Sequence, residues 1–167
     1  MKNVIKTMVV VLLLTSMLTC MVSCGPLSMT KDESRAAKFI ECLYDGDASG
    51  FVDLMLDELV EAEMANRGCE TKALLVYSIE KDLNTIIESM VADFGKSWKY
   101  EVSVVDSYEL KTSGDFSAYE IREIVLRVEH SGRKLLFFKK SDFEEMKVQM
   151  IKMDNTWYVL DWTNANI

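Results

Sequence analysis

Near residue 95 the chain changes its repeat, and that change limits the folds open to it. Leu75, Val76, Ile79, Leu83, Ile86, Ile87, Met90 and Phe94 recur with a helical period, while Glu80, Lys81, Asn84, Glu88 and Asp93 stand off that face. Gly95 closes the pattern. From Trp98 the period is two. Trp98, Tyr100, Val102, Val104, Tyr108 and Leu110 alternate with Lys99, Glu101, Ser103, Ser107 and Glu109, the signature of a long half-buried strand. Helices first and strands afterwards specify an α+β fold, with N-terminal helices packed on a curved antiparallel sheet of about four strands.

The helical half divides by its punctuation. Thr30 and Glu33 form a capping box, and Ala36, Phe39, Ile40, Leu43 and Tyr44 make one stripe that stops at Asp45-Gly46. A second helix is expected from about Gly50 through Ala65, with Phe51, Leu54, Met55, Leu59 and Val60 inward. In the strand half, residues 117–130 fit both periods. Ile121, Ile124, Val125 and Val128 keep helical spacing, whereas Ile124, Leu126 and Val128 alternate; helix is the reading favoured. Ser131-Gly132 is expected to turn, with strands at 134–140 and 143–153. Asp154-Asn155 then makes a two-residue hairpin into a last strand over 156–162.

The first 25 residues govern where the domain resides. Lys2 and Lys6 precede an apolar run over 7–14 and a small-residue end, which is the layout of a secretory signal. The run is shorter than the about 20 residues a spanning helix needs. Met21-Val22-Ser23-Cys24 resembles a bacterial lipobox, which implies a diacylglycerol on the Cys24 sulfur; Met21 stands where that pattern prefers leucine. Cys20 is the poorer alternative, with Thr19 before it. Stable anchoring takes two acyl chains or their equivalent. The expected organisation is a signal over 1–23, a lipidated tether over 24–29 and a single domain over 30–167. Removing the signal takes two lysines and no acid, moving the formal charge from −8 to −10. Such a balance argues against nucleic acid as a partner.

An opening amphipathic helix, the Gly46-Asp47 break and a closing hairpin with Trp157-Tyr158 resemble the cystatin-like cone of the nuclear transport factor two superfamily. The similarity is greatest to small lipoproteins of Gram-positive bacteria. It spans roughly residues 30–163. Those lipoproteins have no established activity, so the resemblance implies a fold and an envelope address. Enzymes of that superfamily place a carboxylate and a tyrosine inside the cone. By alternation, Tyr100, Asp106 and Tyr108 on the long strand and Asp161 on the last are the candidates here.

Other constellations carry less chemistry. Asp45, Asp47 and Ser49 begin a calcium-loop spacing, but its twelfth position is Leu56 where a bidentate acid belongs. The plainer reading is a turn in which Asp47 or Ser49 caps the next helix. His130 is the sole histidine, so no histidine triad can be built, and it is expected to be exposed at an element's end. Cys42 and Cys69 are expected to pack as thiols in preference to a disulfide. Met55, Met90, Met146, Met150 and Met153 read as core filler. Glu58, Glu61 and Glu63, and likewise Asp142, Glu144 and Glu145, read as solvated acids.

No metal or cofactor is called for. The function expected is that of a membrane-anchored extracytoplasmic lipoprotein whose domain binds a protein, peptide or small molecule without catalysis. The alternative is a cavity enzyme of the isomerase or dehydratase type. The expected partners are the membrane, through the lipid, and a ligand of unknown identity.

Overall fold

The structure is a computed structural model that describes residues 29–111, 116–135 and 138–164. The signal and Cys24 lie outside the described residues. The fold is α+β. Among the described residues four helices, α1 (Lys31–Asp45), α2 (Ala48–Leu54), α3 (Asp57–Arg67) and α4 (Lys72–Phe94), precede four strands. The strands are β1 (Lys99–Glu109), β2 (Glu120–Leu135), β3 (Phe138–Met153) and β4 (Thr156–Asn164). They form an antiparallel meander in the order β1-β2-β3-β4. Among the described residues no helix is long and apolar enough to cross a membrane.

Helix α1 lies along the sheet because its stripe is continuous. Ala36, Phe39, Ile40, Leu43 and Tyr44 are all buried. The Thr30 amide donates to Glu33 Oε2 at 2.9 Å, which is the reciprocal half of the capping box. Gly46 ends the helix in the left-handed region at φ 74°, where a side chain would be strained. Against α1 the sheet sets Ile124, Leu126, Val128, Val148, Met150 and Val159, each fully buried. Phe39 stacks on Phe51 of α2 at 4.1 Å and meets the edge of Trp162 from β4 at 5.2 Å, filling the middle of this layer.

One ion pair fixes the start of α1 to the sheet. Arg122 Nη1 of β2 donates to Asp32 Oδ2 at 2.7 Å, and Asp32 is buried. Burial pushes the Asp32 carboxyl up. The Thr30 hydroxyl, the backbone amide and Arg122 together outweigh that, leaving it below the ordinary value. A depressed folded-state pKa stabilises the fold fully above the unfolded value, about 3.9, and this stabilisation disappears as pH falls through the folded value. Asp32→Asn is therefore expected to lower stability at neutral pH by about 1.5–3 kcal/mol, the size of a hydrogen bond to a charged group. Urea melts of both proteins should begin to approach each other near about pH 4 and converge once the pH is below the depressed folded-state value. A deficit independent of pH would rule out this pairing as its source.

Three expectations about elements are corrected. Residues 117–130 are not helical: β2 begins at Glu120, because Ile124, Leu126 and Val128 are the set that meets α1. Nor do Ser131 and Gly132 turn; β2 runs through them to Leu135, paired with β3 from Phe138. The helix expected over 50–65 is split. Met55 bridges Val159 in parallel and the Leu56 amide donates to Val159 O at 2.9 Å, so the edge of β4 takes backbone groups that a continuous helix would have used. The split lets Leu56 and Leu59 reach the far face of the sheet, where a second cluster gathers around Leu56, Ile121 and Ile151. Asp154 and Asn155 form the expected hairpin turn, both with positive φ.

Candidate functional site

The four cavity candidates do not converge. Tyr100 faces the helices, and its hydroxyl donates to Asp45 Oδ1 at 2.5 Å. Burial, then the Asp45 hydrogen bond and charge, push its phenol above the ordinary value. Asp106 and Tyr108 are exposed on the opposite face, and so is Asp161. The physical reason is a bulge in each strand. Val104 pairs with Leu126 but Asp106 with Val125, so the extra residue reverses the alternation beyond Val104. Between Val159 and Asp161 the same happens across from Gln149 and Met150. Asp106 and Asp161 each accept from the next residue's amide, at 2.8 Å.

What the helix-facing side does bring together is a cluster at the C-terminal end of α1. His130 is only 4% exposed, which corrects the expectation of an exposed ring at an element's end. It belongs to the same alternate row as Ile124, Leu126 and Val128, so the strand buries it. Its Nε2 lies 3.0 Å from Glu144 Oε1, and the Tyr44 hydroxyl donates to that same oxygen. Glu144 is accordingly not a solvated acid; it shares the inward row with Met146, Val148 and Met150. Burial, followed by the Glu144 hydrogen bond, raises the Tyr44 phenol far above its ordinary value. With the proton on Nε2, the imidazole donates to the carboxylate and leaves Nδ1 buried with no partner among the described residues.

Rings close in on this cluster from every side. Tyr44 lies 4.9 Å from His130 and 5.3 Å from Tyr100, while Phe94 and Trp98 lie 5.7 and 6.4 Å from His130. The carboxylate thus clamps a phenol and an imidazole inside packed aromatics, tying α1 to β2 and β3. Its chemistry is that of a buried polar clasp.

The calcium-loop segment resolves into a helix cap, since Asp47 Oδ1 accepts from the Gly50 amide at 2.9 Å. No group of three or more histidine, cysteine or acidic side chains that could hold a metal occurs among the described residues. Cys42 and Cys69 are free thiols, Cys42 buried and Cys69 half-buried. Burial and then the Asp47 charge push the Cys42 thiol up to about 11, so it is a poor nucleophile at neutral pH.

Among the described residues several hollows open on the surface. One of about 330 Å³ on the far face is apolar, lined by Leu56, Leu59, Phe116, Tyr119, Ile151 and Leu160. Two more share Lys99, Ser131 and Ser141 at the other end of the sheet. The first, about 520 Å³, is bordered by Glu101 and Glu129, and the second, about 470 Å³, by Arg133, Lys139 and Lys140.

These elements define the chain as an α+β protein with a filled core and surface grooves. No protein-family model and no curated protein matches it. Among solved structures it is similar to the intermembrane space region of the chloroplast protein ARC6, with 11% identity and a TM-score of 0.28. That match covers 81% of this chain and 96% of the other. A likeness so distant bears on neither fold nor function.

Proposed function

We propose that this chain is an extracytoplasmic lipoprotein, held at the membrane by acyl chains on Cys24, whose domain binds a ligand or another protein and performs no catalysis. The domain is read as a cone of the nuclear transport factor two type. The observation that carries the binding reading is the filled helix-facing side. Phe39, Phe51 and Trp162 pack against one another between α1, α2 and β4, and Asp106 and Asp161 stand on the opposite face. Recognition is thereby left to the surface grooves. The address is supported by the basic head, the apolar run and the sequence from Met21 to Cys24.

Cys24→Ser removes the only sulfur that this scheme acylates. In a bacterial host, the parent is expected in the membrane fraction with resistance to high salt. Unprocessed Cys24→Ser would retain the signal, so the decisive readout is incorporation of labelled fatty acid, present in the parent and lost in the variant. Equal labelling of both would defeat the proposal.

A further inference from the structure

We propose that the groove between the start of β1 and the facing ends of β2 and β3 is a binding site for a compact phosphate-type anion. This deepens the binding reading by naming a ligand class, and it rests on that reading for its setting. The groove is built by register. Arg133 faces Lys139 directly across the strands, Ser131 faces Ser141, and Lys99 faces Ser131 from the other side. Ser97 and Lys140 complete the rim of a hollow of about 470 Å³.

Like charges directly opposite each other on a sheet destabilise it. Arg133 and Lys139 nevertheless face one another, and neither they nor Lys99 has an ion pair with a carboxylate among the described residues. Lys140 alone reaches an acid, Asp93, at 3.9 Å. In a chain with 27 acids against 19 bases, three neighbouring unpaired cations are a local excess that a bound anion would relieve. The serine hydroxyls between them supply neutral donors, and cationic donors make the stronger, charge-assisted hydrogen bonds to phosphate oxygens.

The negative end of α4 does not account for these charges. Gly132 is the residue that meets Phe94, the last residue of α4. Its strand neighbours Ser131 and Arg133 therefore point to the opposite face. Lys140, paired with Gly132, serves the helix end; Lys99, Arg133 and Lys139 do not.

Two features narrow the ligand. Beyond the Ser131–Ser141 row, Glu101 faces Glu129, an acidic pair that repels any polyanion continuing along the sheet. Position decides the source. Chain entry is marked by Asp32 against Arg122, and Arg133 lies eleven residues farther along β2, roughly 36 Å at 3.3 Å per residue. The groove is thus remote from the start of α1, and on this proposal takes a free anion, not a membrane headgroup.

The test is titration of the full chain, purified in neutral detergent, with pyrophosphate at low salt, followed by calorimetry. Saturable one-to-one binding with a Kd below about 1 mM is expected, a modest free energy for a few exposed contacts. Arg133→Gln combined with Lys139→Gln should weaken it at least tenfold while leaving the melting temperature unchanged or higher, because repulsion is relieved. Lys38→Gln, at the tether end, should bind as the parent does. Absence of saturable binding, or equal weakening by Lys38→Gln, would overturn the site. So would Arg133-dependent binding to phosphatidylglycerol vesicles with none to pyrophosphate, since the occupant would then be a membrane. Acylated Cys24 without pyrophosphate affinity would sink this inference alone.

Discussion

Phe39→Ala is expected to cost about 3–5 kcal/mol of unfolding free energy, a large part of what a domain of this size has. The ring is fully buried. Its removal takes the stacking partner from Phe51 and the edge contact from Trp162 together, so α2 and β4 both lose this contact with α1. Collapse of the site is opposed from both layers, because Ile40 follows Phe39 on α1 and Val148 and Met150 stand on the sheet, all fully buried. Urea unfolding measures the effect. Phe143→Ala, at a ring 55% exposed and covered by the Arg127 guanidinium, should cost less than about 1 kcal/mol. Similar losses for the two would mean that the centre of the core is not where Phe39 lies.

Gly132→Ala is the second. A Cβ there would stand 2.2 Å from the Phe94 carbonyl oxygen and 2.8 Å from its Cβ. These atoms are backbone or nearly so, and no flexible chain end can swing aside. Either the last turn of α4 unwinds or β2 shifts within a ladder paired on both sides. The expected cost is about 3 kcal/mol, at the upper end of the usual range for overpacking. The melting temperature should fall by roughly 10 °C. Gly68→Ala supplies the contrast. It has a left-handed φ of 64° but open space around it, so its loss should be the strain alone, about 1–2 kcal/mol. If Gly132→Ala melted with the parent, the close approach of α4 to β2 would be refuted.

Much of the fold was legible in the sequence because single elements carried their own signals. The α1 stripe, its stop at Asp45-Gly46, the Asp154-Asn155 turn and the change of period after Gly95 are all local, and each is present. What escaped was set by partners distant in the chain. The Ile124–Val128 stretch suits either period until α1 and its two flanking strands select the extended form. Met55 and Leu56 leave the helix for a β4 edge about a hundred residues away. The bulges after Val104 and Val159 have no residue type that announces them, yet each moves every later side chain to the other face.

The candidate site suffered most from this. Simple alternation points Asp106 and Asp161 inward, and the bulges interrupt it. His130 and Glu144 are expected in solvent although parity places both inward. Glu144 precedes Met146, Val148 and Met150 at intervals of two, and His130 follows Ile124, Leu126 and Val128 in the same way. A strand over 117–130 places His130 in the inward row, while Glu144 follows from the alternation of 143–153 alone. The basic groove had a weaker signal still, since Arg133 and Lys139 become neighbours only through the β2–β3 register.

The proposed anchored, extracytoplasmic setting of this domain is tested most directly by mass analysis of the amino-terminal peptide of protein produced in a bacterial host and recovered from the membrane fraction. The expected product begins at Cys24 and carries the mass of a diacylglycerol on that residue. A product that begins at Met1, or at an unmodified residue, would contradict it.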